Sequence, residues 1–177
     1  TAQGVNLAGD DQADRRVHGG PDKAIYAYAS EDYDWWAATT GPLAPGTFGE
    51  NLTTAGLDVT GALLGETWRL GGSVLVQVTA PRIPCVTFQA WLDEPQWVRR
   101  FAAAGRPGAY LRVLQPGTVA AGDPVEVVSR PAEAVTIAES MAAHYGDQEL
   151  MRRVLRVPGR GEKWDTTGAG VLTRAPR

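Results

Sequence analysis

The chain holds one cysteine, Cys85, and two histidines, His18 and His144. A lone thiol forms no intramolecular disulfide, no structural zinc site and no iron–sulfur cluster. A Cys-His-Asp protease is hard to assemble from so few groups. Lysine is also scarce, with only Lys23 and Lys163. A Schiff base to pyridoxal phosphate is therefore not expected, because Lys163 falls in a polar, glycine-rich tail and Lys23 in a loop with other duties. No apolar run approaches the roughly 18 residues of a membrane span, and the first residues lack the apolar stretch of a signal peptide. A cytoplasmic protein with no membrane partner is the expectation. Walker-type phosphate loops, HExxH and a complete GxGxxG after a strand are all missing. No flavin or NAD signature appears either, so any electron donor is expected to be a separate protein.

Positive charge is lacking overall, at a net charge of −3, but it is unevenly spread. Residues 24–80 carry six acids against one base, Arg69, whereas 82–112 carry five arginines against Asp93 and Glu94. Cys85 sits in this arginine-rich half, which suits an anionic ligand such as a phosphate. Without a basic stripe or aromatic-basic interleaving, nucleic acid is not the expected partner.

At 177 residues the chain has room for one main domain, with 21 glycines and 12 prolines favouring short strands and frequent turns. Five segments read as strands: 24–28, 66–70, 73–79, 110–114 and 125–128, each rich in β-branched or aromatic residues and bounded by Gly or Pro. Gly71-Gly72 predicts a two-residue hairpin between the second and third. A helix is predicted from Ser30, as N-cap, to Gly41. Another is predicted near 94–104, with Trp97 and Phe101 on one face. After Pro131 the pattern turns helical, with Thr136 and Asp147 as caps. The reading is a mainly β barrel or sandwich over 1–130, a helical appendage over 131–160 and a flexible tail over 161–177. Leu150, Val154 and Leu155 share a helix face that could pack on the barrel or serve as a homodimer surface.

Four segments could carry chemistry. VHGGPDKAIYAY (17–28) sets His18 and Lys23 around Gly19 and Gly20, where backbone N–H groups can approach an anion. PGTFGENLT (45–53) ends in Glu50 and Asn51, and an amide can read a heterocycle edge. APRIPCVTF (80–88) follows a strand and stiffens a thiol beside Arg82, an arrangement suited to a nucleophile or a soft-metal ligand. GRPGAYLRV (105–113) sets Arg106 in a rigid turn that could aim at a phosphate. Each also has an ordinary structural reading: a tight turn, a cap, a buried small side chain, a surface arginine.

Together, GDDQADRRVHGGPDKAIYAY, PGTFGENLTT, APRIPC and GRPGAYLRV, in this order and spacing, resemble the MOSC domain family and within it the YiiM-like bacterial branch. VTIAESMAAHYGDQELMRRVLRVPG looks like the small helical appendage of that branch. The resemblance spans roughly residues 4–160. It implies a β-barrel whose pocket holds molybdopterin-bound molybdenum, with Cys85 as both the catalytic residue and the metal ligand. By the same resemblance His18, Gly19, Gly20, Lys23 and Asn51 are cofactor-binding positions, with Arg82 and Arg106 as further candidates. It also implies a small-molecule substrate and the reduction of N-hydroxylated bases or related N-oxygenated compounds. The alternative it leaves open is a carrier of sulfur or cofactor using a Cys85 persulfide. Branch members carry a strand region ahead of the GDDQAD segment, so any cofactor contacts made there, a phosphate-binding lysine among them, are expected to fall outside this chain.

Overall fold

The computed structural model describes Leu7 and residues 19–174; His18 lies outside the described residues. Six strands form one mixed sheet: β1 (Ile25–Ala29), β2 (Leu52–Thr54), β3 (Thr67–Leu70), β4 (Val74–Pro81), β5 (Ala109–Gln115) and β6 (Val125–Ser129). Their order is β2-β1-β5-β4-β3-β6, with β1–β2 parallel and the other pairs antiparallel. Six α-helices accompany them: α1 (Ser30–Thr40), α2 (Val86–Leu92), α3 (Trp97–Ala104), α4 (Ile137–His144), α5 (Gln148–Arg156) and α6 (Lys163–Leu172).

All five residues of β1, IYAYA, are buried, because the strand separates two cores. Side chains alternate across a strand. Ile25, Ala27 and Ala29 enter an aliphatic core with Val76, Val78, Leu111 and Trp68. Tyr26 and Tyr28 enter an aromatic core with Tyr33, Trp36, Phe48, Phe88, Trp97 and Phe101. β5 alternates in the same way, with Leu111 in the first core and Tyr110 packed against the second. α1 and α3 supply Tyr33, Trp36, Trp97 and Phe101 to the aromatic core, while α2 adds Phe88. Phe48 is fully buried at its centre, with the rings of Tyr28 and Tyr33 at centroid distances of 4.9 and 4.8 Å.

The five sequence-predicted strands are present, and the expectation of a mainly β barrel is met in part, as a mixed sheet forming a half-barrel with several helices. The sheet of the described residues is open, with β2 and β6 as its edges, and the six helices hold more residues than the six strands. The excess is α2, unforeseen because it is short, and α6, where a flexible tail was expected. α6 is fixed by Trp164 and Val171, both buried in the aliphatic core. The β3–β4 hairpin pairs Leu70 with Val74, so its loop is three residues, and only Gly71 of the glycine pair has positive φ. Ser30 starts α1 but does not cap it; Ala29 holds the cap position. Thr136 and Asp147 do cap α4 and α5, Thr136 through a reciprocal capping box with Glu139.

α5 turns its apolar face inward. Met151 and Val154 are buried in the aliphatic core, with Leu150 and Leu155 packed against it, so the suggested dimer surface is occupied by the chain's own core. Among the described residues no helix is long and apolar enough to cross a membrane.

Candidate functional site

The loop ahead of β1 makes one 3-10 turn, Pro21–Lys23, closed by the Lys23 N–H donating to the Gly20 carbonyl at 3.0 Å. Three attachments hold it. The Thr79 hydroxyl donates to the Asp22 carbonyl at 2.5 Å. Arg112 of β5 contacts Asp22 Oδ1 through Nε at 2.7 Å and Nη2 at 2.5 Å. The Glu162 N–H donates to Asp22 Oδ2 at 2.6 Å. The start of α6 is tied to the same place, because the Trp164 indole N–H and the Gly161 N–H both donate to the Thr79 carbonyl, at 3.0 and 3.1 Å.

These attachments enclose a cavity of about 710 Å³. Gly19, Gly20 and Lys23 line it from the loop, and Pro81 and Ile83 from the end of β4. The C-terminal part supplies the opposite wall: His144 of α4, Arg160, and Lys163, Trp164 and Thr167 of α6. Sequence reasoning missed this wall. The available signal was a tryptophan in a supposed tail, since segments too poor in apolar surface to fold rarely carry one.

Cys85 lies where the sequence places it, in the segment between β4 and α2, at the cap position of α2. It is half-buried and packs against the aromatic core. Lys23 and Tyr110 both lie within its electrostatic reach. Burial holds the Lys23 ammonium below the usual lysine range, and the positive charges of Lys163 and Arg82 add to this, while Asp22 and Cys85 oppose it. The Lys23 ammonium also lies 5.2 Å from the Tyr110 ring centroid. Lys23 lines the cavity, whereas Arg82 and Cys85 line neither it nor the second cavity of the described residues.

Arg82 joins two loops. Its Nη1 donates to the Phe48 carbonyl, and its guanidinium lies 3.9 Å from the Phe88 ring centroid and 5.0 Å from that of Tyr26. In the PGTFGENLT loop, the buried Glu50 carboxylate accepts from the Tyr33 hydroxyl at 2.8 Å, the Gly46 N–H at 2.6 Å and the Thr53 hydroxyl at 2.9 Å. Asn51 is clamped to β1: its Oδ1 accepts from the Tyr26 N–H and its own N–H donates to the Tyr26 carbonyl, both at 2.9 Å.

Not all of the candidates converge. Asn51 lines a second cavity, of about 610 Å³, with Thr54, Leu57 and Val125. Arg106 lines neither cavity; it pairs with the buried Asp32 at 2.5 Å and lies 4.9 Å from the Trp35 ring centroid.

The described residues gather no group of three or more His, Cys, Asp or Glu side chains able to hold a metal ion. A metal at Cys85 would have to bring most of its own ligands, as one bound by a pterin dithiolene does. A single thiolate with cationic neighbours fits such a group: the sulfur is a soft donor and the cations offset a phosphate.

Comparison with known proteins agrees with this architecture. The chain is 36% identical over 163 residues to the uncharacterized protein YflK of Bacillus subtilis, spanning 90% of this chain and 73% of that protein. It is 35% identical over 171 residues to the protein YiiM of Escherichia coli, spanning 92% and 75%. A protein of Gibberella moniliformis named a reductase is 32% identical over 131 residues, which span 72% of this chain but 23% of that much longer protein. The crystal structure of YiiM from Geobacillus stearothermophilus superimposes with a TM-score of 0.81 at 34% identity, covering 88% of this chain and 81% of that one. YiiM from Escherichia coli gives 0.80 at 31%, covering 96% and 83%. The MOSC domain profile matches residues 14–126, from ahead of the HGGPDK loop through the cysteine segment to β6, and the chain belongs to the MOSC domain family.

Proposed function

We propose that this protein holds a molybdopterin-bound molybdenum through the Cys85 thiolate and reduces N-hydroxylated bases or related N-oxygenated compounds. The observation that carries this reading is the placement of Cys85: half-buried on a proline-stiffened segment leaving β4, inside the family match, beside Lys23 and Arg82.

When bound, molybdenum supplies the two-electron couple that removes oxygen from nitrogen as water, and the protein positions it. Gly19 and Gly20 let the backbone approach the cofactor closely, with Lys23 offsetting its phosphate. Arg82 holds the cysteine segment against the Phe48 carbonyl, so its effect on the thiol is to position it. Asn51, the family position expected beside the pterin, commits its carboxamide oxygen to the Tyr26 N–H, which fixes the side chain against β1. His18 remains a cofactor contact by resemblance. Arg106, paired with Asp32, acts as a brace of the pocket wall. A separate electron-donor protein returns the electrons.

The test is elemental analysis of protein expressed in a host that makes the cofactor. Near-stoichiometric molybdenum is expected in the wild type and little in Cys85→Ala, with circular dichroism unchanged. Equal metal content in both sinks the reading. A persulfide on Cys85 in metal-free protein, seen by mass spectrometry, replaces it with a sulfur carrier.

A further inference from the structure

Tyr26, Tyr28, Tyr33 and Tyr110 meet in or against the aromatic core, and the first three commit their hydroxyl groups. Tyr26 donates to the Pro107 carbonyl at 2.8 Å, Tyr28 to the Arg106 carbonyl at 3.1 Å and Tyr33 to Glu50 at 2.8 Å. The Tyr110 hydroxyl has no hydrogen-bond partner among the described residues. It is not a buried orphan either, since those are Trp97 Nε1 and Arg160 Nε, so it opens to solvent. A half-buried phenol that makes no internal bond is available to a ligand.

The rest of the residue is held firmly. Its ring lies 5.1 Å from that of Tyr26, its carbonyl accepts from the Thr79 hydroxyl at 3.0 Å, and its backbone pairs with Tyr26 and Ala80. Ala109 and Leu111 face the aliphatic core, so Tyr110 takes the opposite side of the sheet, where Cys85 packs against the same rings. Ala80 and Pro81 pair with Tyr110 and Ala109, which sets the phenol beside the exit of β4 that carries the thiol. Burial pushes the phenol above its usual range, with Arg82 opposing and Cys85 adding to the effect, so the hydroxyl keeps its proton through neutral pH. Arg82 itself gives up no proton and is bonded to the Phe48 carbonyl.

We propose that Tyr110 is a catalytic residue of the reductase reaction, its hydroxyl giving a proton to the oxygen that leaves the substrate nitrogen. The proposal rests on the reductase reading and names its proton donor. Cleaving the N–O bond takes up two electrons, which the electron-donor protein supplies, and two protons. Tyr110 protonates the departing oxygen, which leaves as water, and a proton from solvent goes to the nitrogen. The phenolate then recovers its proton from the water that its oxygen faces.

Tyr110→Phe keeps the ring and deletes only the hydroxyl. In molybdenum-loaded protein, kcat for benzamidoxime is expected to fall about a hundredfold with KM little changed, as loss of a positioned proton donor does. Molybdenum content and the melting temperature of metal-free protein should match the wild type, because no internal hydrogen bond is lost. A further arm uses metal-free protein isotope-labelled at tyrosine Cζ: Cys85→Ser should shift the Tyr110 resonance and leave that of Tyr28 in place. A Tyr110 resonance that Cys85→Ser does not move overturns the proposal. Molybdenum loss from Tyr110→Phe also overturns it, because the hydroxyl then holds the cofactor. Wild-type turnover equalled by Tyr110→Phe sinks this proposal alone, whereas a molybdenum-loaded wild type that reduces no N-oxygenated compound sinks the reductase reading and this proposal with it.

Discussion

Asp22 and Glu162 are 140 positions apart in sequence, and the Asp22 carboxylate accepts the Glu162 N–H at 2.6 Å while its other oxygen faces Arg112. One carboxylate thus fastens the glycine loop, β5 and the start of α6 together. Both walls of the cavity depend on it, which makes the position of Lys163 a consequence of Asp22.

Asp22→Ala should therefore loosen α6 without unfolding the sheet. Asp22 and Arg112 are both largely shielded from water, at 23% and 27% side-chain exposure. Deleting the carboxylate leaves Arg112 without its ion-pair partner and the Glu162 N–H without its acceptor, at a cost of about 1–3 kcal/mol. Urea unfolding measures the loss, and amide exchange should quicken first at Glu162 and along the first turn of α6. Uniform quickening across β1 and β5 would show that Asp22 supports the whole domain rather than this junction.

Arg82 separates a positioning role from a phosphate-binding one. Its donation to the Phe48 carbonyl and its place over Phe88 exist without any ligand. Arg82→Ala should cost about 1–3 kcal/mol in metal-free protein. Phe48→Ala, which empties the centre of the aromatic core, should cost about 3–5 kcal/mol. Thermal or urea denaturation of metal-free variants checks both. If Arg82→Ala leaves metal-free stability unchanged, its contribution is confined to the bound state.

The strands and the positions of Cys85 and Lys23 were legible because they depend on local pattern: β-branched runs between glycines, a proline-stiffened exit from β4, a Gly-Gly-Pro turn. The division of β1 into an aliphatic and an aromatic face was also present in IYAYA, as alternating small and ring side chains. What was not legible depends on distant partners. Arg82 and Arg106 read as free cations because nothing near them in sequence reveals the Phe48 carbonyl or Asp32. Lys163 read as tail because the anchor of α6, the Thr79 carbonyl, lies on a strand 85 positions away from Trp164. Thr79 lies at the β4 irregularity between Val78 and Ala80, and pairing offsets of this kind leave no periodic trace in sequence.

His144 gives the protein a pH dependence of calculable sign. It stands in the last turn of α4, where the helix dipole favours a cation. Burial nevertheless lowers its pKa from the ordinary 6.5, and the nearby charges of Arg174 and Lys23 lower it further. The unfolded imidazole therefore takes up its proton first as pH falls. Its contribution to stability is complete above 6.5 and is lost as pH drops through the lower folded midpoint. NMR titration of the His144 ring should show a midpoint below 6.5, and His144→Gln should flatten the stability–pH curve in that interval. A midpoint above 6.5 would mean that a carboxylate, not Lys23 and Arg174, governs the cavity side of α4.

Gly105 and Gly108 share a φ of +65° but differ in surroundings, so alanine at each separates backbone strain from lack of space. At Gly105, the cap position of α3, an added Cβ meets nothing within 4 Å. Gly105→Ala should cost only the left-handed conformation, about 1 kcal/mol. At Gly108 the Cβ would stand 2.6 Å from the Ala27 carbonyl oxygen, 2.7 Å from Cδ2 of Tyr28 and 2.8 Å from Cε2 of Tyr26. None of these can retreat cheaply, because Ala27 pairs with Ala109 and the Tyr26 hydroxyl is bonded to the Pro107 carbonyl. Gly108→Ala should therefore cost about 3 kcal/mol or more, combining the strain with displacement of β5 from β1. Equal losses at the two positions, measured by urea denaturation, would show that the β1–β5 seam has slack, and that the packing of Tyr26 and Tyr110 beside Cys85 is softer than these distances require.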